Sequence, residues 1–172
     1  MRLHTNKLCN INDIEISRCW VLTKSNIKEV IAISEIALGK NYLLPDDLVH
    51  PSYRWVLATI ENKVVGFASF MNDHSNATIT DVAVDPIFQG YCIATNLIAQ
   101  CVFEISTLWV EVIDCFAWET NNYPHLEKPL LRNGFVRIRT ELRVSEDYRD
   151  NFECPICGIG CTCNAVLFRK NI

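Results

Sequence analysis

Residues 78–98, TITDVAVDPIFQGYCIATNLI, join a β-branched run, a proline corner and a helical repeat that opens on small side chains. Ile79, Val82 and Val84 give the strand its β-branched content. Pro86 ends it, because proline cannot donate to a ladder. From Cys92 onward Ile93, Leu97, Cys101, Ile105 and Leu108 recur at helical spacing, which predicts a helix beginning near Gly90. The first amides of a helix have no intrahelical partners and lie at the positive end of its dipole. The segment therefore offers the backbone N–H groups of Gly90, Tyr91, Cys92, Ile93 and Ala94 to a phosphate.

A second set of residues that could do chemistry is Cys154-Pro155-Ile156-Cys157-Gly158-Ile159-Gly160-Cys161-Thr162-Cys163. Four thiols in C-x2-C-x3-C-x-C spacing can fold back into a tetrahedral sulfur set for Zn²⁺, with the intervening glycines freeing amides to approach the sulfurs. The Cys-Pro-x-Cys-Gly half has the form of a zinc knuckle. A catalytic zinc keeps a fourth position open, whereas Cys154, Cys157, Cys161 and Cys163 close it, so the ion would be structural. Two short disulfides or free thiols are the competing readings, and iron–sulfur ligation wants other spacings without being excluded by this one. Cys9, Cys19, Cys101 and Cys115 sit mostly in apolar patterns and read as small buried hydrophobes. A helix N-terminus favours thiolates in general, which leaves Cys92 either a reactive thiol or a simple small-residue replacement.

The elements that must position these groups alternate along the chain without repeats or linkers. A chain of 172 residues reads as a single domain that buries about 70% of its unfolded surface. Its 49% apolar content and net charge of −4 suit a globular protein with no general attraction to polyanions, which weighs against nucleic acid except through a local basic patch. The start of the chain lacks an apolar signal region, and no stretch of eighteen apolar residues occurs, so the expectation is a cytoplasmic protein that does not span a membrane. Nine cysteines without such a signal fit a reducing compartment and metal or buried thiols. Residues 19–23 read as a strand, and Ser25 as the N-cap of a helix with the face Ile27, Val30, Ile31, Ser34 and Leu38, ending at Gly39. Residues 45–51 form a broken helix or loop. Residues 53–60 and 63–71 form a hairpin around Glu61-Asn62. Residues 112–119 are a strand, and the segment with Pro124 and Pro129 is helical only in pieces. The strand after Gly134-Phe135 alternates Val136, Ile138, Leu142 and Val144 with Arg137, Arg139, Glu141 and Arg143, and the last strand spans 165–170. The arginine row is a solvated strand face or a receiver of an acidic acceptor.

With those elements in order, DVAVDPIFQGYCIA resembles the acetyl-CoA-binding segment of the GCN5-related N-acetyltransferase (GNAT) superfamily, where a V-x-V-x-P strand end leads to (Gln/Arg)-x-x-Gly-x-(Gly/Ala). Gln89 and Ala94 match, while Cys92 replaces the middle glycine. The resemblance covers residues 20–135 and the last strand. It implies an α/β (α+β) fold with a mixed, mostly antiparallel sheet flanked by helices and the Cys-rich loop between the last two strands. Residues 1–18 then read as an N-terminal extension of one domain spanning 1–172.

The same resemblance implies transfer of an acetyl group from acetyl-CoA to a primary amine on a small molecule or protein. The alternative is a non-catalytic module of this fold that binds CoA or a partner through a zinc-stapled loop. Val82, Ala83 and Val84 would hold the pantetheine arm and supply an oxyanion N–H, and the cradle would extend from Gln89 to Thr95. Asp81 is the carboxylate that the resemblance points to as base. The segment 108–112 looks like a strand of ribosomal-protein N-terminal acetyltransferases in which a glutamate is the base, but the helical period leaves Glu111 at the helix end and solvated. A gapless count from Gln89 puts Asn121 on the family's CoA-contacting asparagine, against a turn-capping role. The family's acid is a tyrosine shortly before the Gly-Phe pair, where this chain has Leu130 and Leu131, leaving Tyr123 and His125 as substitutes.

Overall fold

The computed structural model describes residues 13–120, 123–141, 151–161 and 163–172. Along the chain run β1 (Glu15–Cys19), α1 (Lys24–Ala37), α2 (Pro45–Leu48), β2 (Arg54–Ile60), β3 (Lys63–Asp73) and β4 (Asn76–Val84). They are followed by α3 (Ile93–Ser106), β5 (Val112–Thr120), β6 (Tyr123–Pro124), α4 (Glu127–Arg132), β7 (Val136–Glu141) and β8 (Asn164–Asn171). The strands form one sheet in the order β1-β2-β3-β4-β5-β8-β7, with β6 attached to β5. β4 and β5 pair in parallel, and the remaining pairings are antiparallel. The expected mixed, mostly antiparallel sheet is therefore what the chain forms, and the Cys-rich loop does fall between the last two strands.

Two apolar layers sandwich this sheet. On one face Ile79, Val82 and Val84 of β4 pack with Ile93, Leu97, Cys101 and Ile105 of α3 and with Leu130 of α4. On the other, Ala83 and Phe67 pack with Val30 and Ile33 of α1, Leu48 of α2 and Trp55. The β2–β3 hairpin turns on Glu61 and Asn62 at φ 49° and 64°, the paired positive φ values that match the strands' right-handed twist.

Several expectations need correction. The first strand is β1, earlier than 19–23, because Ile14 and Ile16 reach the core whereas Trp20 and Val21 are exposed. α1 is capped by Thr23 and not Ser25: the Thr23 hydroxyl accepts from the Asn26 amide at 3.2 Å, and Asn26 Oδ1 accepts from the Thr23 N–H at 3.1 Å. α3 stops at Ser106, so Leu108 lies beyond its end. In β7, Val136 and Ile138 are as exposed as their arginine neighbours: the strand lies at the edge of the sheet, and Ile138 is the extra residue of a bulge between Arg137 and Arg139. Arg137 bonds Glu119 at 2.9 Å and approaches Glu127 at 3.6 Å, so it is tied to the fold. Cys9, Leu142, Arg143 and Val144 lie outside the described residues.

Gly39 ends α1 and is where the Cys-rich loop docks. Its φ is +125°, and a Cβ there would meet the Glu153 carbonyl at 2.5 Å and the Phe152 ring at 2.7 Å. Lys40 and Glu153 exchange backbone hydrogen bonds at 3.0 and 3.1 Å, and Asn41 Nδ2 donates to Asn151 O at 2.9 Å. Gly39→Ala should destabilise the protein by about 2–4 kcal/mol through backbone strain and clash. Thermal or urea unfolding checks it; an unchanged midpoint would mean the contact yields freely.

Candidate active site

β4 and β5 share a register only over Asn76–Ile79 against Val112–Cys115. Beyond it both strands run on, to Val84 and Thr120, without pairing each other. The divergence begins where β3 and β4 slip register: Ser69 faces Asp81, the next residue Phe70 faces Ile79, and Thr80 is the extra residue. A cavity of about 430 Å³ fills the gap and runs from the α3 start, past β4 and β5, to Pro155 and Ile156 of the Cys-rich loop.

At one end lies the anion cradle. Pro86 and a 3-10 turn over Pro86–Phe88 lead to Gln89, whose side chain donates to Val84 O at 3.3 Å. Gly90 follows at φ +87°, with open space where a Cβ would be. Cys92 is the N-cap of α3 in the left-handed region, φ 60° and ψ 15°, a backbone state that costs a non-glycine residue about 1 kcal/mol. The first α-helical bond here is Asn96 N–H to Cys92 O at 3.1 Å, so the amides of Ile93, Ala94 and Thr95 have no helical acceptor. Arg132, at the end of α4, brings its guanidinium 3.6 Å from the Cys92 sulfur and also lines the cavity.

In the middle lies Asp81, buried yet part of the cavity wall. Ser69 Oγ donates to its Oδ2; Thr80 and Tyr42 side chains are bonded to it as well. Burial pushes its pKa above the usual carboxylate range, and these hydrogen bonds only partly oppose the rise. Val82, Ala83 and Val84 continue the wall, as do Trp118 and the exposed His125. His125 is held by its backbone N–H to Trp118 O at 3.0 Å. Of Tyr123 only the backbone is described, paired to Thr120 in β6, and Asn121 lies outside the described residues. Glu111 is exposed and absent from the wall, its N–H donating to Ser75 O at 2.8 Å.

At the other end the Sγ atoms of Cys154, Cys157, Cys161 and Cys163 all lie within 4.8 Å of one another. Cys154–Cys163 and Cys157–Cys163 are 3.9 and 3.6 Å apart. Those spacings bracket the ~3.8 Å expected between thiolates bound tetrahedrally at about 2.3 Å. Backbone amides of Ile156 and Cys163 donate to Cys154 and Cys161 sulfurs, each at 3.4 Å. The donor set thus fits a soft, four-coordinate ion. Cys101 and Cys115 are buried inside the core, and Cys115 is pushed up to about 12 by burial, which makes it inert.

Residues 18–124 match the family model described as acetyltransferase (GNAT) family. The chain belongs to the GNAT acetyltransferase family. Membership makes it an acyl-CoA-dependent acetyltransferase. No curated protein matches it significantly, but solved structures share the fold. A GNAT acetyltransferase from Elizabethkingia anophelis with acetyl-CoA bound superposes with a TM-score of 0.68 at 16% identity, covering 94% of this chain and 99% of that one. The ribosomal-protein-S18-alanine N-acetyltransferase of Escherichia coli gives 0.67 at 16%, covering 92% and 94%. A Bacillus subtilis acetyltransferase in complex with CoA gives 0.67 at 13%, covering 92% and 99%.

Within this GNAT fold the structure adds Tyr42, Ser69, Thr80 and Arg132 to the site. Ser69 was readable only through the register slip, and Tyr42 and Arg132 come from segments with no motif of their own. If the cradle holds the CoA phosphates, Gly90→Glu should abolish acetyl-CoA binding by calorimetry. Arg132→Ala should weaken it roughly ten- to a hundred-fold through loss of a charged hydrogen bond. Full affinity in both variants moves the phosphates elsewhere.

Proposed function

We propose that this protein transfers the acetyl group of acetyl-CoA to a primary amine by direct attack in a ternary complex, with Asp81 as base. The observation that carries the reading is a buried carboxylate in the wall of a cavity that also opens on the anion cradle. Gln89, Gly90, Tyr91, Cys92, Ile93, Ala94 and Thr95, joined by Arg132, receive the phosphates. Val82, Ala83 and Val84 line the pantetheine arm, and Asn121 keeps the CoA-amide contact that the family resemblance implies.

An amine protonated at neutral pH must lose a proton before its lone pair can reach the thioester carbon. Asp81 takes that proton: burial raises its proton affinity, and the hydroxyls of Ser69, Thr80 and Tyr42 hold its orientation. As the C–N bond forms, a backbone N–H in the 82–84 segment, facing the unpaired gap, meets the charge on the carbonyl oxygen. The C–S bond then breaks, the thiolate leaves with a proton from His125 in the wall or from Tyr123 in the adjoining strand, and the nitrogen releases its second proton to solvent, from which the acid is reprotonated.

Cys154, Cys157, Cys161 and Cys163 hold one structural Zn²⁺ in the same proposal, supported by the sulfur spacing and the amides aimed at two sulfurs. When bound, the ion cross-links the loop that carries Pro155 and Ile156, and takes no part in the transfer.

Asp81→Asn should lower turnover roughly ten- to a thousand-fold with acetyl-CoA affinity nearly unchanged. It should also change stability in a definite direction. Because the folded-state pKa is raised, wild type loses stability as pH climbs from the unfolded carboxylate value through the folded one. The variant should therefore melt higher than wild type at pH 8, with the difference shrinking toward pH 4. Equal turnover moves the role to another group.

For the loop, elemental analysis of protein purified under reducing conditions should give about one zinc per chain, and chelation should lower the melting temperature without unfolding the sheet. Metal-free protein with four alkylatable loop thiols would refute the metal site.

A further inference from the structure

The cavity has two chemically different halves, and the half away from the cradle tells what kind of amine it takes. β5 alternates: Cys115 and Ala117 belong to the core under α3, and Phe116 and Trp118, on the other face, line the cavity together with Cys115. Facing them are Leu38 from the end of α1, Tyr42, and Ile156 from the Cys-rich loop. Tyr42 packs edge-on against Trp118 and Phe152 with ring centroids 5.6 and 6.0 Å apart, and Phe152 lies tilted behind Trp118 at 5.9 Å, so the Tyr42 and Trp118 rings of this wall are packed in place. Phe116 and Ile156 stay 45% and 60% exposed at the mouth, apolar area that an occupant would cover.

Charge divides the same way. The lining residues of acidic or basic type are Asp81, His125 and Arg132, and Asp81 is the one carboxylate among the described residues of the wall. Asp47, a further acid whose charge acts on Asp81, accepts the Leu44 N–H at 2.7 Å and does not line the cavity. A polyamine or aminoglycoside would bring several ammonium groups to a wall whose described residues pair one, and an unpaired charge pressed against apolar surface carries a large desolvation cost. An amine with a single positive charge and an apolar body meets a partner at each end.

We propose that the acceptor is a monoamine with a flat or branched apolar substituent, of the arylalkylamine kind, its ammonium at Asp81 and its body between Phe116, Trp118 and Ile156. This rests on the acetyltransfer reading above. Ile156 is a specificity residue: it is exposed, it comes from a segment separate from the cradle, and its replacement by an acid adds a carboxylate to the one that the described residues of the wall supply.

The test uses the full-length protein saturated with CoA, titrated by calorimetry with 2-phenylethylamine, spermidine and kanamycin, and in parallel kcat/KM with acetyl-CoA for the same three amines. Wild type should favour 2-phenylethylamine over spermidine by at least about tenfold, and Ile156→Glu should cut that ratio about fivefold or more with acetyl-CoA affinity unchanged. A preference for spermidine or kanamycin, no binding of the aryl amine, or a ratio that Ile156→Glu leaves in place overturns the proposal. Binding of 2-phenylethylamine without transfer keeps this assignment and sinks the catalytic reading instead.

Discussion

One extra residue in β4 governs the site. Below Thr80 the odd positions Ala77 and Ile79 lie under α3; above it the even positions Val82 and Val84 do. Without that bulge, strict alternation would send Asp81 to the α3 side, into the same apolar layer as Ile79. The slip turns it to the opposite face, beside Ser69, Thr80 and Tyr42, and it bends β4 away from β5 so that a gap opens next to the carboxylate. A single local irregularity thus sets both the face that the buried carboxylate takes and the gap beside it.

The two ends of that gap are built on different principles. At the α3 end the wall offers backbone amides and one arginine, groups that suit an anion and depend little on most side chains around them. At the far end the wall is assembled from the end of α1 and from the Cys-rich loop, segments far apart in the chain, locked by the Lys40–Glu153 backbone pair and the aromatic packing of Tyr42 with Phe152. The two ends of the cavity wall are consequently built from separate parts of the chain.

What could be read from the sequence was what is local. The strand, corner and helix of 76–106 carry their own periodicity, and the four cysteines lie close enough in the chain to be seen as a set. The partners of Asp81 could not be read, because Ser69 reaches it only across a slipped register and Tyr42 arrives from the loop after α1. Arg132 was hidden for the same reason, placed by the packing of α4 against α3 and not by any motif. The misplaced first strand and the exposed Val136 and Ile138 share a cause: at sheet edges, hydrophobic pattern no longer distinguishes a core-facing position from a solvent-facing one.

The parallel ladder of Asn76–Ile79 with Val112–Cys115 is also the seam of the molecule. Among the described residues it alone joins the leaf β1-β2-β3-β4 to the leaf β5-β8-β7 within the sheet. A short seam beside a gap behaves as a joint, whose stiffness depends on what fills the gap. Any molecule lodged there touches both leaves and adds its binding free energy to their cohesion, about 2.7 kcal/mol when present at a hundred times its dissociation constant. A molecule held in that gap would thereby become part of the architecture, and the slowest-exchanging amides of the two leaves would report its concentration as faithfully as they report the fold.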